Sequence, residues 1–242
     1  MFYIFREHIK QSLAVIAFLI TLTACTSDSY DAGDGPNSYL TADLVLLHTS
    51  QDKSVRSALL DDGTTLQFSN PFAQDWLTRP DSVYRALLYY DKTVAASDAA
   101  ASNPTATSIV RARSVRPVSV LRPVEAEDME TLRTDPVGFE SIWLSKNKSY
   151  INLSLLLKSG KTEADDALHA LGIVSHGTTT DADRRRTLHL TLYHDQGGVP
   201  AYYTVQQYVS IPTQLLEEAD TVELTLNTYN GKKVVKVAVS NL

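Results

Sequence analysis

From Tyr150 to Val239 the chain alternates apolar and polar residues with a period of two, segment after segment. No other feature constrains its fold as tightly. Ile151, Leu153, Leu155 and Leu157 fall on one side of Tyr150–Lys158, and Leu188, Leu190 and Leu192 on one side of Thr187–His194. Tyr203, Val205, Val209 and Ile211 share a face with Gln207; Val222, Leu224 and Leu226 form another set, and Val235, Val237 and Val239 a third. Successive side chains of a strand point to opposite faces, whereas a helix repeats every ~3.6 residues, so each set is one wall of a core built from strands. Asn230-Gly231 predicts a tight hairpin between the last two. Adding Phe139–Leu144 and Leu168–Val174 gives about seven strands, which predicts a two-sheet, immunoglobulin-like β-sandwich over residues 124–242. Pro212 to Ala219 reads as one helical turn crossing between the sheets.

The preceding stretch, residues 39–123, carries shorter strand signals. Leu44–His48, Val55–Leu60, Thr64–Phe68 and Ser82–Tyr90 are apolar or alternating, and Asp61-Asp62-Gly63 between the second and third is a hairpin signal. Ser108–Val120 is a last strand broken at Pro117, because proline cannot donate to a ladder. The Ala/Ser/Thr-rich residues 93–108 read as a mobile loop. About five short strands predict a small closed or half-closed barrel. Pro123, the acidic cluster Glu125, Glu127, Asp128 and Glu130, and Asp135-Pro136 punctuate the boundary, with a short helical turn among them.

The first residues read as an address. Arg6 and Lys10 precede the uncharged apolar run Leu13–Ile20, the charged and hydrophobic parts of an export signal. A spanning helix needs ~20 apolar residues, so this run is too short to be one. Leu22-Thr23-Ala24-Cys25 follows at the cleavage position and resembles the bacterial lipobox, in which the cysteine thiol is acylated and becomes the new N-terminus. Cys25 is the only cysteine, which excludes an intrachain disulfide and cysteine-based zinc sites. The reading is therefore a signal peptide over 1–24 and a flexible acidic tether over 25–38, with Asp28, Asp31 and Asp34 among Ser, Gly and Pro. Such a tether resembles an outward-sorting signal of some two-membrane bacteria. Two or more acyl chains on Cys25 would anchor the body to the outer membrane firmly.

Charge and chemistry exclude several functions. Residues 39–123 carry nine Lys/Arg and eight Asp; residues 124–242 carry eleven Lys/Arg and sixteen Asp/Glu. Neither half is built to neutralise a phosphate backbone, so no nucleic-acid partner is expected despite Arg111, Arg113 and Arg116. His189 and His194 are five apart, so on one strand they face opposite ways and cannot share a metal; no metal site and no cofactor are expected. Ser175-His176-Gly177 reads as a strand end running into a loop. The pairs Asp61/Asp62 and Asp165/Asp166 read as turn residues. Without a Gly-x-Ser-x-Gly elbow or a glycine-rich phosphate cradle, catalysis is not expected. The run Arg184-Arg185-Arg186 in a Thr/Asp-rich loop is the one candidate contact for an anionic glycan or protein partner.

Several stretches together resemble the NigD-like family of bacterial lipoproteins: the lipobox, Asp61-Asp62-Gly63-Thr64 before a strand, Asp135-Pro136 before a strand holding Trp143, Ile211-Pro212 before the short helix, Asp220-Thr-Val-Glu-Leu, and Tyr229-Asn230-Gly231-Lys232. The resemblance implies an N-terminal OB-type barrel ahead of the C-terminal β-sandwich. It brings no catalytic residues. The family takes its name from a bacteriocin-immunity role proposed for one member. The sequence thus predicts an all-β, lipid-anchored envelope protein that binds an unknown protein or glycan without catalysis, with immunity to a secreted toxin as the alternative.

Overall fold

The structure, a computed structural model, describes residues 40–92, 108–161, 168–216 and 218–239. The lipobox Leu22, Thr23, Ala24 and Cys25, the acidic tether, residues 93–107 of the Ala/Ser-rich loop, and the Asp165/Asp166 pair lie outside the described residues. From Thr41 onward the chain groups as one compact unit.

Five strands close a barrel: β1 (Leu40–Thr49), β2 (Val55–Leu60), β3 (Thr65–Phe72), β4 (Val83–Lys92) and β5 (Ser108–Pro117). Their order round the barrel is β1-β2-β3-β5-β4; β3 pairs with β5 in parallel, whereas β1 with β2, β2 with β3 and β4 with β5 pair antiparallel. The barrel is therefore of the OB type expected. Closing five strands demands strong bending, and the ladder shifts register at His48/Thr49 and Tyr89/Tyr90, where bulges supply it. Val45, Leu47, Val55, Ala58, Leu66 and Leu88 fill the interior. The β2–β3 turn is the predicted hairpin: the Leu60 amide donates to the Thr64 carbonyl at 2.9 Å, and Gly63 takes φ +89°.

The last barrel strand ends at Pro117. The piece beyond the proline does not continue the barrel strand. β6 (Ser119–Val120) pairs in parallel with β12 (Tyr203–Pro212), and β7 (Pro123–Glu125) pairs in parallel with β10 (Ala170–Thr180). Proline ends one ladder, and the next residues stitch into both sheets of the sandwich.

Those sheets are β14-β13-β11-β10-β7 and β6-β12-β9-β8, with β8 (Gly138–Leu144), β9 (Tyr150–Ser159), β11 (Arg186–Asp195), β13 (Thr221–Thr228) and β14 (Gly231–Ala238). The alternating sets meet as predicted. Ile151, Leu153, Leu155 and Leu157 from one sheet face Leu188, Leu190, Val222 and Leu224 from the other in a single buried cluster. Burying each such side chain is worth ~1.5–3 kcal/mol, which makes this interface the main source of stability. Parallel pairing of β11 with β13 and of β7 with β10 makes the larger sheet mixed. A 3-10 turn at Thr213–Leu215 carries the chain from one sheet to the other and seats Leu216 and Ala219 in the core. A second, Ala126–Asp128, supplies the helical turn expected at the boundary.

One local expectation changes. Ser175-His176-Gly177 is not a strand end but a bulge inside β10, where register shifts between Ser175 and Thr178 and Gly177 takes φ +81°. The predicted tight hairpin joins β13 and β14, with Tyr229 and Asn230 in its loop and a φ of +103° on Gly231.

Candidate functional site

The outer face of the β9–β12 sheet alternates polar against the core-facing leucines, as a solvated face would. Near the barrel it is not solvated: Asn152 and Ser210 are fully buried beneath it. Unpaired polar groups there would cost ~1–3 kcal/mol each, and Arg85 of β4 satisfies them. Its Nη1 and Nη2 donate to Asp61 Oδ1 and Oδ2 at 2.6 and 2.7 Å. Nη2 also donates to Asn152 Oδ1 at 3.0 Å, and Nε to Ser210 Oγ at 3.1 Å. Asn152 Nδ2 returns a bond to Asp61 Oδ2 at 3.0 Å, and Ser210 Oγ donates to Asn152 Oδ1 at 2.7 Å. The guanidinium sits 4.3 Å from the centre of the Tyr150 ring. Barrel and sandwich are thus joined by one closed hydrogen-bond network around a bidentate ion pair. Asp61, expected to serve only its turn, is the anion of that pair.

Beside the network the seam opens into a cleft of about 350 Å³. Leu44 and Leu87 of the barrel, Tyr89, and Trp143 and Tyr208 of the sandwich line it. Trp143 and Tyr208 meet edge to face, centroids 6.4 Å apart at 81°. Carboxylates stand at its rim. Asp43 accepts the Tyr90 hydroxyl at 2.8 Å. Asp62 is pushed up by partial burial, but hydrogen bonds from Thr64 outweigh that and hold it below the ordinary carboxylate value. Lys146, the rim cation, lies 4.0 Å from Asp62 with its side chain 82% exposed, a geometry worth little. A smaller hollow of about 230 Å³ lies between Asn70–Gln74 and Arg111–Val115, where Arg113 is already paired with Asp91.

Of the residues singled out from sequence, Asp61, Asp62 and Trp143 line this cleft, whereas the arginine run and the histidines do not. Arg184 and Arg185 sit in the β10–β11 turn, closed by Asp181 Oδ1, which accepts the Asp183 and Arg185 amides. Arg186 opens β11 and lies 3.7 Å from Glu218. His189 and His194 point to opposite faces of β11, as their spacing requires. His189 Nδ1 lies 3.2 Å from Glu223, which Lys236 also holds at 3.0 Å. His194 is buried, with Nδ1 against the Asp135 carbonyl at 2.9 Å and Nε2 2.9 Å from His169 Nδ1. Spacing along one strand gave no hint of that cross-strand pair. Among the described residues, no group of three or more His, Cys, Asp or Glu is arranged to hold a metal ion.

Sequence reasoning missed Arg85 and the cleft. A signal existed. Arg85 is the one charged residue in the run Val83–Tyr90, and the outward positions of β9 and β12 facing the barrel are small, uncharged Asn152 and Ser210 rather than Lys or Glu.

Residues 120–239 match the family model of the NigD-like C-terminal beta sandwich domain. No curated protein matches. Among solved structures, the chain resembles a NigD-like immunity protein from Bacteroides caccae, with 23% identity, 81% of this chain and 91% of that one covered, and a TM-score of 0.59. It also resembles a candidate lipoprotein from Bacteroides fragilis, with 14% identity, 84% and 99% covered, and a TM-score of 0.58. A protein of unknown function from Bacteroides vulgatus is similar at 16% identity, with 84% and 92% covered and a TM-score of 0.57. At these identities the likeness is one of fold, and it extends over barrel and sandwich together.

Proposed function

Since the chain belongs to the NigD-like family, we propose that it is a cell-envelope binding protein, moored to the outer membrane through acyl chains on Cys25, that captures a partner in the seam cleft without catalysis. The observation that carries this reading is the cleft itself. Both halves of the molecule line it, its floor is apolar and aromatic, and the Arg85 network fixes its walls. Preorganised walls reduce the entropy lost on binding. The polar network beside the cleft supports binding over chemistry, because Arg85, Asp61, Asn152 and Ser210 hydrogen-bond one another. The Leu22-Thr23-Ala24-Cys25 spacing supports the anchor, as does the likeness to the Bacteroides fragilis protein.

The anchor is tested by fractionating cells that express Cys25→Ala. The acylated protein stays with the membranes and the variant is released or retained as precursor; a mature variant that partitions like the parent contradicts the reading. Capture is tested by probing a glycan array and envelope extracts with the parent and with Trp143→Ala. The account expects a partner retained by the parent and lost by the variant. Equal retention, or empty results with both, counts against the cleft.

A second reading is favoured by one observation, the description of the Bacteroides caccae relative as an immunity protein. On that reading the partner is a secreted toxin. A deletion strain then becomes sensitive to supernatants of sibling cells, and unchanged sensitivity removes the reading.

A further inference from the structure

We infer that the seam cleft is built for a cation carried on an apolar frame, a lysine or arginine side chain of a polypeptide flanked by apolar residues. The inference rests on the reading of the cleft as the binding site and adds the chemistry of its occupant.

Size narrows the choice first. At about 350 Å³ the cleft lies at the small end of ligand sites, which run from ~300 to ~1,000 Å³, so it holds a side chain and its neighbour rather than an extended chain of sugars. Charge narrows it further. Three Asp side chains reach the cleft, Asp43, Asp61 and Asp62. Arg85 neutralises Asp61 through two charge-assisted bonds. Asp43 and Asp62 remain, both on the lining, Asp43 accepting the Tyr90 hydroxyl and Asp62 the Thr64 amide. Among the described residues the only cation on the lining is Lys146, whose exposed side chain swings away at little cost. The mouth is therefore net negative, which attracts cations and repels anions.

The floor fits the same occupant. Tyr89, Trp143 and Tyr208 offer aromatic faces that attract ammonium or guanidinium groups, and more strongly where water is excluded. Trp143 and Tyr208 stand at 81° to each other, so they form a corner instead of the flat platform on which a sugar ring stacks. Leu44 and Leu87 are nine-tenths buried behind them and leave an apolar wall for the methylenes of a long side chain or an adjacent apolar residue.

The test uses the mature chain carrying Cys25→Ala, with its two indole N–H signals, from Trp76 and Trp143, read by NMR. The probe is the blocked peptide acetyl-Leu-Lys-Phe-Lys-Leu-amide; its control has glutamine at both lysine positions, and a neutral xylan pentasaccharide is the third ligand. The inference expects the lysine peptide to shift the Trp143 signal and leave Trp76 in place. Binding weakens about tenfold or more for the glutamine peptide and for the Asp43→Asn/Asp62→Asn variant, and falls as salt rises. Asparagine still accepts the Tyr90 and Thr64 hydrogen bonds, so the variant keeps its fold, and an unmoved Trp76 signal verifies that. If the glutamine peptide binds as tightly, or the sugar alone shifts Trp143, the cation inference is overturned while the cleft remains the site. If none of the three ligands moves Trp143 at millimolar concentration, both fall.

Discussion

Arg85 carries the largest consequence of any single residue outside the leucine core. Its side chain is 1% exposed and its charge is balanced by one carboxylate. Removing one member of a buried pair leaves the other uncompensated, which costs ~3–5 kcal/mol. Arg85→Ala is therefore expected to destabilise the protein by about that amount in urea unfolding, and Asp61→Asn by a comparable amount. The double variant should cost less than the sum of the two, since both deletions remove the same interaction. A second residue-scale expectation concerns acid. Burial, with His194 beside it, pushes the His169 imidazole below its ordinary 6.5. The unfolded chain takes up a proton near that value while the folded chain resists it, so stability is full above about pH 6.5 and falls as pH drops below it. Urea midpoints measured near pH 7.5 and pH 5.5 should differ in that direction, and His169→Gln should flatten the difference. The depressed carboxylates of Asp62 and Glu223 lose their contribution only below their unfolded values near 4, a separate window.

At the scale of elements, two adjacent glycines offer a controlled comparison. Gly197 and Gly198 follow β11 with φ +60° and +77°. A Cβ on Gly197 would lie 2.2 Å from the Leu168 carbonyl oxygen, whereas one on Gly198 would meet nothing within 4 Å. Gly198→Ala pays only the left-handed backbone, about 1 kcal/mol. Gly197→Ala must also push two backbone segments apart, so thermal melting should show the larger loss there. The strands themselves were legible in the sequence because a core on one face imposes a period of two, and Ile151 to Leu157 record it directly. The same period misleads on the other face. Asn152 and Ser210 alternate correctly for a wet surface, yet the barrel covers them, and a two-residue repeat cannot tell water from a second protein layer. The Ser175–Gly177 bulge was hidden for a related reason: an inserted residue breaks the alternation locally and looks like the end of the strand. The cleft left no trace in local pattern, since Asp62, Trp143 and Tyr208 are far apart in the chain and meet only where barrel and sandwich pack together.

At the scale of the whole molecule, the Arg85 network and the apolar seam make barrel and sandwich one mechanical body. Leu44, Leu87 and Val118 form a small core of their own at that seam, with Tyr89, Trp143 and Tyr208 packed against it. Fluorescence of Trp76, in the barrel, and of Trp143, in the sandwich, should therefore report the same unfolding midpoint when each is observed with the other tryptophan replaced by phenylalanine. Arg85→Ala should separate the two midpoints, because it removes the Arg85 bonds to Asn152 and Ser210 and leaves Asp61 uncompensated at the seam while each core stays intact. The functional account depends on the cleft being where a partner is met in the cell. A photoreactive benzoylphenylalanine placed at Lys146, on the cleft rim, or at Tyr202, 78% exposed in the segment entering β12 and not part of the cleft lining, examines this in living cells. The account predicts a discrete cross-linked species from position 146 that is abolished by Trp143→Ala, and none from position 202. Cross-links from 202 alone, or from 146 undiminished by Trp143→Ala, would contradict it.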